Sequence, residues 1–138
     1  MASKYPVAEL QAFAQKIAAA YWNIAVKIWG EKIGTMPDVR INTRLTACGG
    51  RAWHIRCEGV PTRAHEYVEY SAYLMLNNRD EYQAETIPHE LAHIIEHRLY
   101  DKSGHGANFK YVMEILGCKG TTFHNMVTMS KAKKRNAK

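Results

Sequence analysis

The chain has 138 residues, 46% of them hydrophobic, with a net charge of +6 and a pI near 9.3. That length supports one domain around one core and excludes two, and the positive charge points to an acidic partner, of which nucleic acid is the commonest. No apolar run is long enough to span a bilayer, and Met1 to Lys16 lacks the apolar core and cleavage site of a signal peptide, so the expectation is a cytoplasmic protein with no membrane partner.

Pro6 opens a long helical pattern in which Leu10, Phe13, Ala14, Ile17, Tyr21, Ile24, Ile28 and Trp29 recur every three or four residues, ending near Gly30 to Gly34. Lys16, Lys27 and Lys32 lie along it as a solvated face, with a phosphate backbone as the alternative partner. After the Met36-Pro37-Asp38 turn, Val39, Ile41, Thr43 and Leu45 alternate with polar residues, as a strand with one buried face does. Cys48-Gly49-Gly50 breaks that strand, and alternation resumes from Arg51 to Cys57, so the two stretches predict a hairpin. Tyr67 to Asn77 predicts a third strand, with Val68, Tyr70, Ala72, Leu74 and Leu76 on one face.

A further helix starts between Asp80 and Thr86 and runs to about Tyr100. Either Thr86 caps it with Pro88 in the first turn, or it begins at Asp80 and kinks at Pro88. Asp101 to Gly104 turns the chain back, and Ala107 to Leu116 predicts a last helix with Phe109, Val112, Met113 and Leu116 inward, stopped by Gly117. From Lys131 to Lys138 the chain is basic and nearly free of apolar residues, a tail expected to stay disordered until something negative orders it. The domain is therefore expected to span residues 1–130. Cys48, Cys57 and Cys118 are odd in number and lack Cys-x-x-Cys spacing, which excludes a disulfide framework and a zinc ribbon. They are expected to be reduced and partly buried, with a Cys48–Cys57 bridge as the disfavoured alternative.

The chemistry concentrates in Pro88-His89-Glu90-Leu91-Ala92-His93. On a helix, two histidines four residues apart stack their imidazoles on one face, and the adjacent glutamate leans toward the same space. His-Glu-x-x-His is thus a metal site with its own base: zinc polarises a carbonyl and a water, and Glu90 moves the proton. The neighbours Leu91, Ala92, Ile94 and Ile95 are apolar enough to bury the helix beneath the site.

Zinc catalysis needs a third protein ligand and an open fourth position. His97 shares the helix face, but eight residues of helix put it about 12 Å from His89, out of reach of metal bonds of about 2 Å. It reads as an ordinary helix histidine or a group supporting a ligand. His105, flanked by Gly104 and Gly106, lies where the chain can reverse over the motif, and Glu114 on the last helix is its rival.

Ile87 to His93, then Ser103-Gly104-His105-Gly106, then Phe109 and Met113, together resemble the SprT family, which includes the Spartan-type proteases. Arg44 to Ala52 resembles the strand-and-glycine segment before that family's motif, and Tyr73 to Asn77 its strand into the active helix. The resemblance implies an α+β, minimal zincin-like metallopeptidase: a long N-terminal helix, a three-stranded, mostly antiparallel sheet, the motif helix and a C-terminal helix. It implies zinc on His89, His93 and His105, Glu90 as catalytic base, and, for eukaryotic members, cleavage of proteins crosslinked to DNA. The Cys-rich zinc ribbon of many members has no counterpart here, so DNA engagement would fall to the basic surface and tail. His124 falls near a histidine that follows the last helix in bacterial members.

The expected reaction is peptide hydrolysis, with the substrate added as an extended strand to a sheet edge beside the motif helix. Tyr100, Arg98 and His124 are candidates to steady the oxyanion. The competing reading is a non-catalytic nucleic-acid-binding protein with a structural zinc; Glu90 argues against it, because a closed structural site has no use for a free carboxylate.

Overall fold

The structure is a computed structural model, and it describes residues 4–46, 48–53, 56–57, 60–61, 66–101 and 104–118. The expected tail at 131–138 and His124 lie outside the described residues. No helix among the described residues is long and apolar enough to cross a membrane.

Helix α1 spans Val7–Trp29 and runs into a 3-10 turn at Gly30–Lys32. Gly30 ends it at φ 58°, a conformation glycine adopts without the steric penalty of a Cβ. Its buried stripe is Leu10, Ala14, Ala18, Trp22 and Ala25, whereas Ile24 and Ile28 are exposed. The expected stripe is therefore out of phase in its second half. Ala18, Trp22 and Ala25 form the inner face there, and the two alanines let the sheet and the motif helix pack close to it.

Strands β1 (Asp38–Asn42), β2 (Gly50–Trp53) and β5 (Tyr67–Ser71) form one sheet in the order β1-β5-β2. β1 pairs parallel with β5, Val39 opposite Val68 and Ile41 opposite Tyr70, and β2 pairs antiparallel, Gly50 opposite Tyr70 and Trp53 opposite Tyr67. This corrects two expectations. The stretches 39–45 and 51–57 form no hairpin with each other, and the sheet is mixed rather than mostly antiparallel. Val68 and Tyr70 are completely buried, so β5 takes the centre and separates the two strands that adjoin in sequence. β1 stops at Asn42, whose Oδ1 accepts from the Arg44 amide in a turn. Beyond Trp53, Arg56–Cys57 (β3) pairs antiparallel with Val60–Pro61 (β4) as a separate ladder.

The expected strand at Tyr67 to Asn77 is extended only to Ser71. There the Ser71 hydroxyl accepts from the Leu74 amide and caps helix α2, Ala72–Asn77. Alternating Leu74 and Leu76 imitates a strand, but a cap followed by Ala, Leu and Met favours a helix, and Leu76 is left exposed.

Helix α3 (Arg79–Glu81), a π turn (Tyr82–Thr86) and helix α4 (Ile87–Tyr100) then follow without a break. The longer of the two expected helices is the one formed. Thr86 has helical dihedrals instead of those of a cap, and the turn before α4 is wide, its Ile87 amide reaching back to the Tyr82 carbonyl. Asp101, at φ 58°, ends α4, and helix α5 covers Ala107–Ile115 with Phe109, Val112 and Met113 buried, one residue short of the expected Leu116.

Two ties fix α4 against the rest of this α+β fold. At its start the buried Tyr70 hydroxyl donates to the Ile87 carbonyl at 2.8 Å. Near its end the Arg98 guanidinium, its side chain 2% exposed, pairs with Glu66 at 2.9 Å and donates to the carbonyls of Ile33 and Thr35. A buried pair with such partners costs about 3–5 kcal/mol to break from one side.

Candidate metal centre

One helical turn separates His89 from His93 on α4, and the return of the chain after Asp101 brings His105 over both. Their coordinating nitrogens all lie within 4.8 Å of one another, with His89 Nε2 at 3.2 Å from both His93 Nε2 and His105 Nε2. Two nitrogens bound tetrahedrally to one zinc at about 2.0–2.1 Å would stand about 3.3 Å apart, so this spacing suits a shared cation. The donor chemistry agrees. A neutral imidazole nitrogen carries either one proton or one lone pair, so His89 Nε2 cannot satisfy both neighbours well, whereas three lone pairs converging on one cation can.

The site has an aromatic floor. The Phe109 ring from α5 stacks on His93 at 4.6 Å between centroids and meets His89 and His105 edge-on at 4.8 and 5.0 Å. His89 and His93 are half-buried and His105 is exposed, so the cluster opens toward solvent on the His105 side.

Glu90 points from α4 into a cleft of about 320 Å³ that it shares with His93 and with Arg51, Ala52 and Trp53 of β2. Burial raises its carboxyl from the ordinary 4.5 to about 8. β2 approaches α4 closely at Gly50, where a Cβ would stand 2.9 Å from the Glu69 carbonyl oxygen and 3.1 Å from Glu90 Cγ. The Gly49 carbonyl accepts from the buried Tyr82 hydroxyl and the Ser71 amide, which seats this segment.

A model of the SprT-like family matches residues 12–131. The chain belongs to the SprT-like family. Protein SprT of Vibrio atlanticus (strain LGP32) is 30% identical to it over 105 residues, taking in 63% of this chain and 63% of that protein. The SprT-like chain thus spans less than two thirds of the length of that relative. No solved structure matches it.

Within this SprT-like chain the other candidate residues take different places. Glu114 is exposed on α5, outside the histidine cluster, and His97 lies one turn beyond His93, also outside it. Arg98 is committed to Glu66 and two carbonyls, which removes it as an oxyanion candidate. Tyr100 sits ten residues beyond Glu90, about 15 Å along the helix. Cys48 and Cys118 are free thiols, Cys48 exposed where partial burial was expected. Phe109 was expected inward and Gly50 in a strand break, but not as the floor of the triad or as the contact that admits β2, and Glu96 was not expected at all. The signal that could have found Glu96 is its place directly after Ile94 and Ile95 on a helix expected to be buried.

Proposed function

We propose that this chain is a zinc-dependent endopeptidase with a zincin-like site, in which His89, His93 and His105 hold Zn2+ and Glu90 is the catalytic base. The observation that carries the reading is the convergence of three imidazole nitrogens beside a buried carboxylate at the wall of an open cleft. Three protein donors among the described residues is the number found in catalytic zinc sites.

When bound, zinc supplies Lewis acidity toward a carbonyl and makes water a stronger acid at neutral pH. The residues of the chain do the rest. Glu90 takes the proton from the attacking water and delivers it to the leaving nitrogen, a task suited to a carboxyl whose affinity for protons is raised by burial. In the three-stranded sheet β2 is an edge strand, and its residues Arg51 to Trp53 line the same cleft. An extended peptide pairing with that edge would lie across Glu90 and His93, bound through its main chain and with little demand on sequence.

DNA-bound or DNA-crosslinked proteins are the proposed targets. The support is the net charge of +6, which would hold enzyme and target on the same polyanion. The test is cleavage of an unfolded protein by the purified chain, with and without chelator and single-stranded DNA. Wild type is expected to cleave and to stop on chelation, and Glu90→Gln is expected to keep its zinc while losing activity by about 10²–10⁴-fold. A Glu90→Gln variant as active as wild type would falsify the assignment of the base.

A further inference from the structure

Glu96 lies on α4 three residues after His93, is 3% exposed, and does not face the cleft. A carboxylate withdrawn from water this far is costly unless its oxygens accept hydrogen bonds. Its Oε1 accepts one from the backbone amide of Gly104, at 3.1 Å. Gly104 immediately precedes His105, the one member of the triad that is not carried by a helix.

On the far side of His105 the chain is also secured. The Gly106 carbonyl accepts from the Lys110 amide in the first turn of α5, and Phe109 underlies all three rings. The imidazole of His105 is therefore held between two anchors. One is the start of α5, and the other is a carboxylate on the very helix that carries His89 and His93. Because Glu96 and His93 share that helix, the distance from the helix-borne pair to the turn is set within one rigid element.

We propose that Glu96 is a positioning residue for the third metal ligand: its buried carboxylate grips the Gly104 amide and thereby presets His105 over His89 and His93. The inference rests on the metal-site reading above and adds to it a residue that touches neither metal nor substrate. Groups that orient metal ligands typically change affinity by 10- to 100-fold when removed. The glutamate acts here as an acceptor, so an amide oxygen in the same place does the same work.

Zinc affinity by chelator competition and amide hydrogen exchange at Gly104, both on the full chain, test it. Glu96→Ala is expected to bind zinc 10- to 100-fold more weakly than wild type, and Glu96→Gln to return to within about threefold of wild type. Glu96→Ala binding within threefold of wild type, or Glu96→Gln as weak as Glu96→Ala, overturns the proposal. Should Glu96→Ala fail to fold, the metal-free wild type still decides. Its Gly104 amide is expected to be protected from exchange, and exchange at the rate of an open loop overturns the grip. If wild type binds no zinc the reading of the site falls, while protection at Gly104 is measured independently of any metal.

Discussion

His89 and His93 reach the site along one helix, whereas His105 reaches it on a turn, and the two routes are stabilised differently. The helix-borne pair is placed by the 3.6-residue repeat and by the ties that hold α4 to Tyr70 and Glu66. The turn-borne ring is exposed and depends on the Gly104 amide, on α5 and on Phe109. A histidine on a helix is thus part of the fold, while a histidine on a turn is attached to it. Replacing one or the other should therefore have unequal effects on the empty protein and similar effects on metal binding.

That contrast is broken most directly by comparing His93→Ala with His105→Ala. Each is expected to lower zinc affinity by more than the roughly 100-fold typical of losing a group that merely orients a ligand. In the metal-free protein His105→Ala should alter stability by less than about 0.5 kcal/mol, as exposed substitutions do. His93→Ala, which loses its stack on Phe109, should cost about 1 kcal/mol. Urea unfolding with and without zinc measures both. Full zinc occupancy in His105→Ala together with its loss in Glu114→Ala would move the third ligand to α5.

A pH effect of the next size belongs to the helix alone. Burial holds the Glu90 carboxyl near 8 in the folded metal-free chain against 4.5 when free, so the folded state binds this proton more tightly than the unfolded state. Its contribution to stability is fully present below about pH 4.5 and is lost as the pH rises through 8, a change on the order of a few kcal/mol. Metal-free wild type should accordingly lose stability between about pH 5 and pH 9 more steeply than Glu90→Gln. Parallel curves for the two proteins would show that the carboxyl is not buried in solution.

A smaller effect than the loss of zinc sharpens the role of the sheet. Gly50→Ala places a methyl against the Glu69 carbonyl, which as backbone cannot step aside, and against Glu90. About 1–3 kcal/mol of stability should be lost, with zinc affinity nearly kept, because the change falls on β2 and the three clustered histidines come from α4 and the turn after it. Hydrolysis should fall further than stability predicts as Glu90 is displaced. Wild-type stability in Gly50→Ala would mean that β2 and α4 stand further apart than described.

The same contrast explains what the chain reveals before it folds. Spacing on one helix is local, so His89, Glu90 and His93 are legible from their order, and the glycines around His105 mark a reversal. Strand pairing is not local: nothing in Val39 to Trp53 announces that Tyr67–Ser71 will insert between β1 and β2. Alternation misleads where a cap intervenes, as Ser71 shows at the start of α2. In α1 the large residues Ile24 and Ile28 advertise a buried face, while the true face is made of Ala18, Trp22 and Ala25. The grip of Glu96 on Gly104 is invisible for the same reason as the sheet order, since it joins residues whose proximity only the folded turn creates.

The π turn at Tyr82–Thr86 has a consequence for chain length. It fits one residue more into its loop than an α turn does, and each residue added to a helix rotates the next one by about 100°. Because the wide turn takes up that residue locally, deleting one there would let the segment relax into regular helix while Arg79–Glu81 and α4 keep their headings. A deletion in that turn should thus be tolerated, whereas one between His89 and His93 would rotate one ring about 100° away from the other.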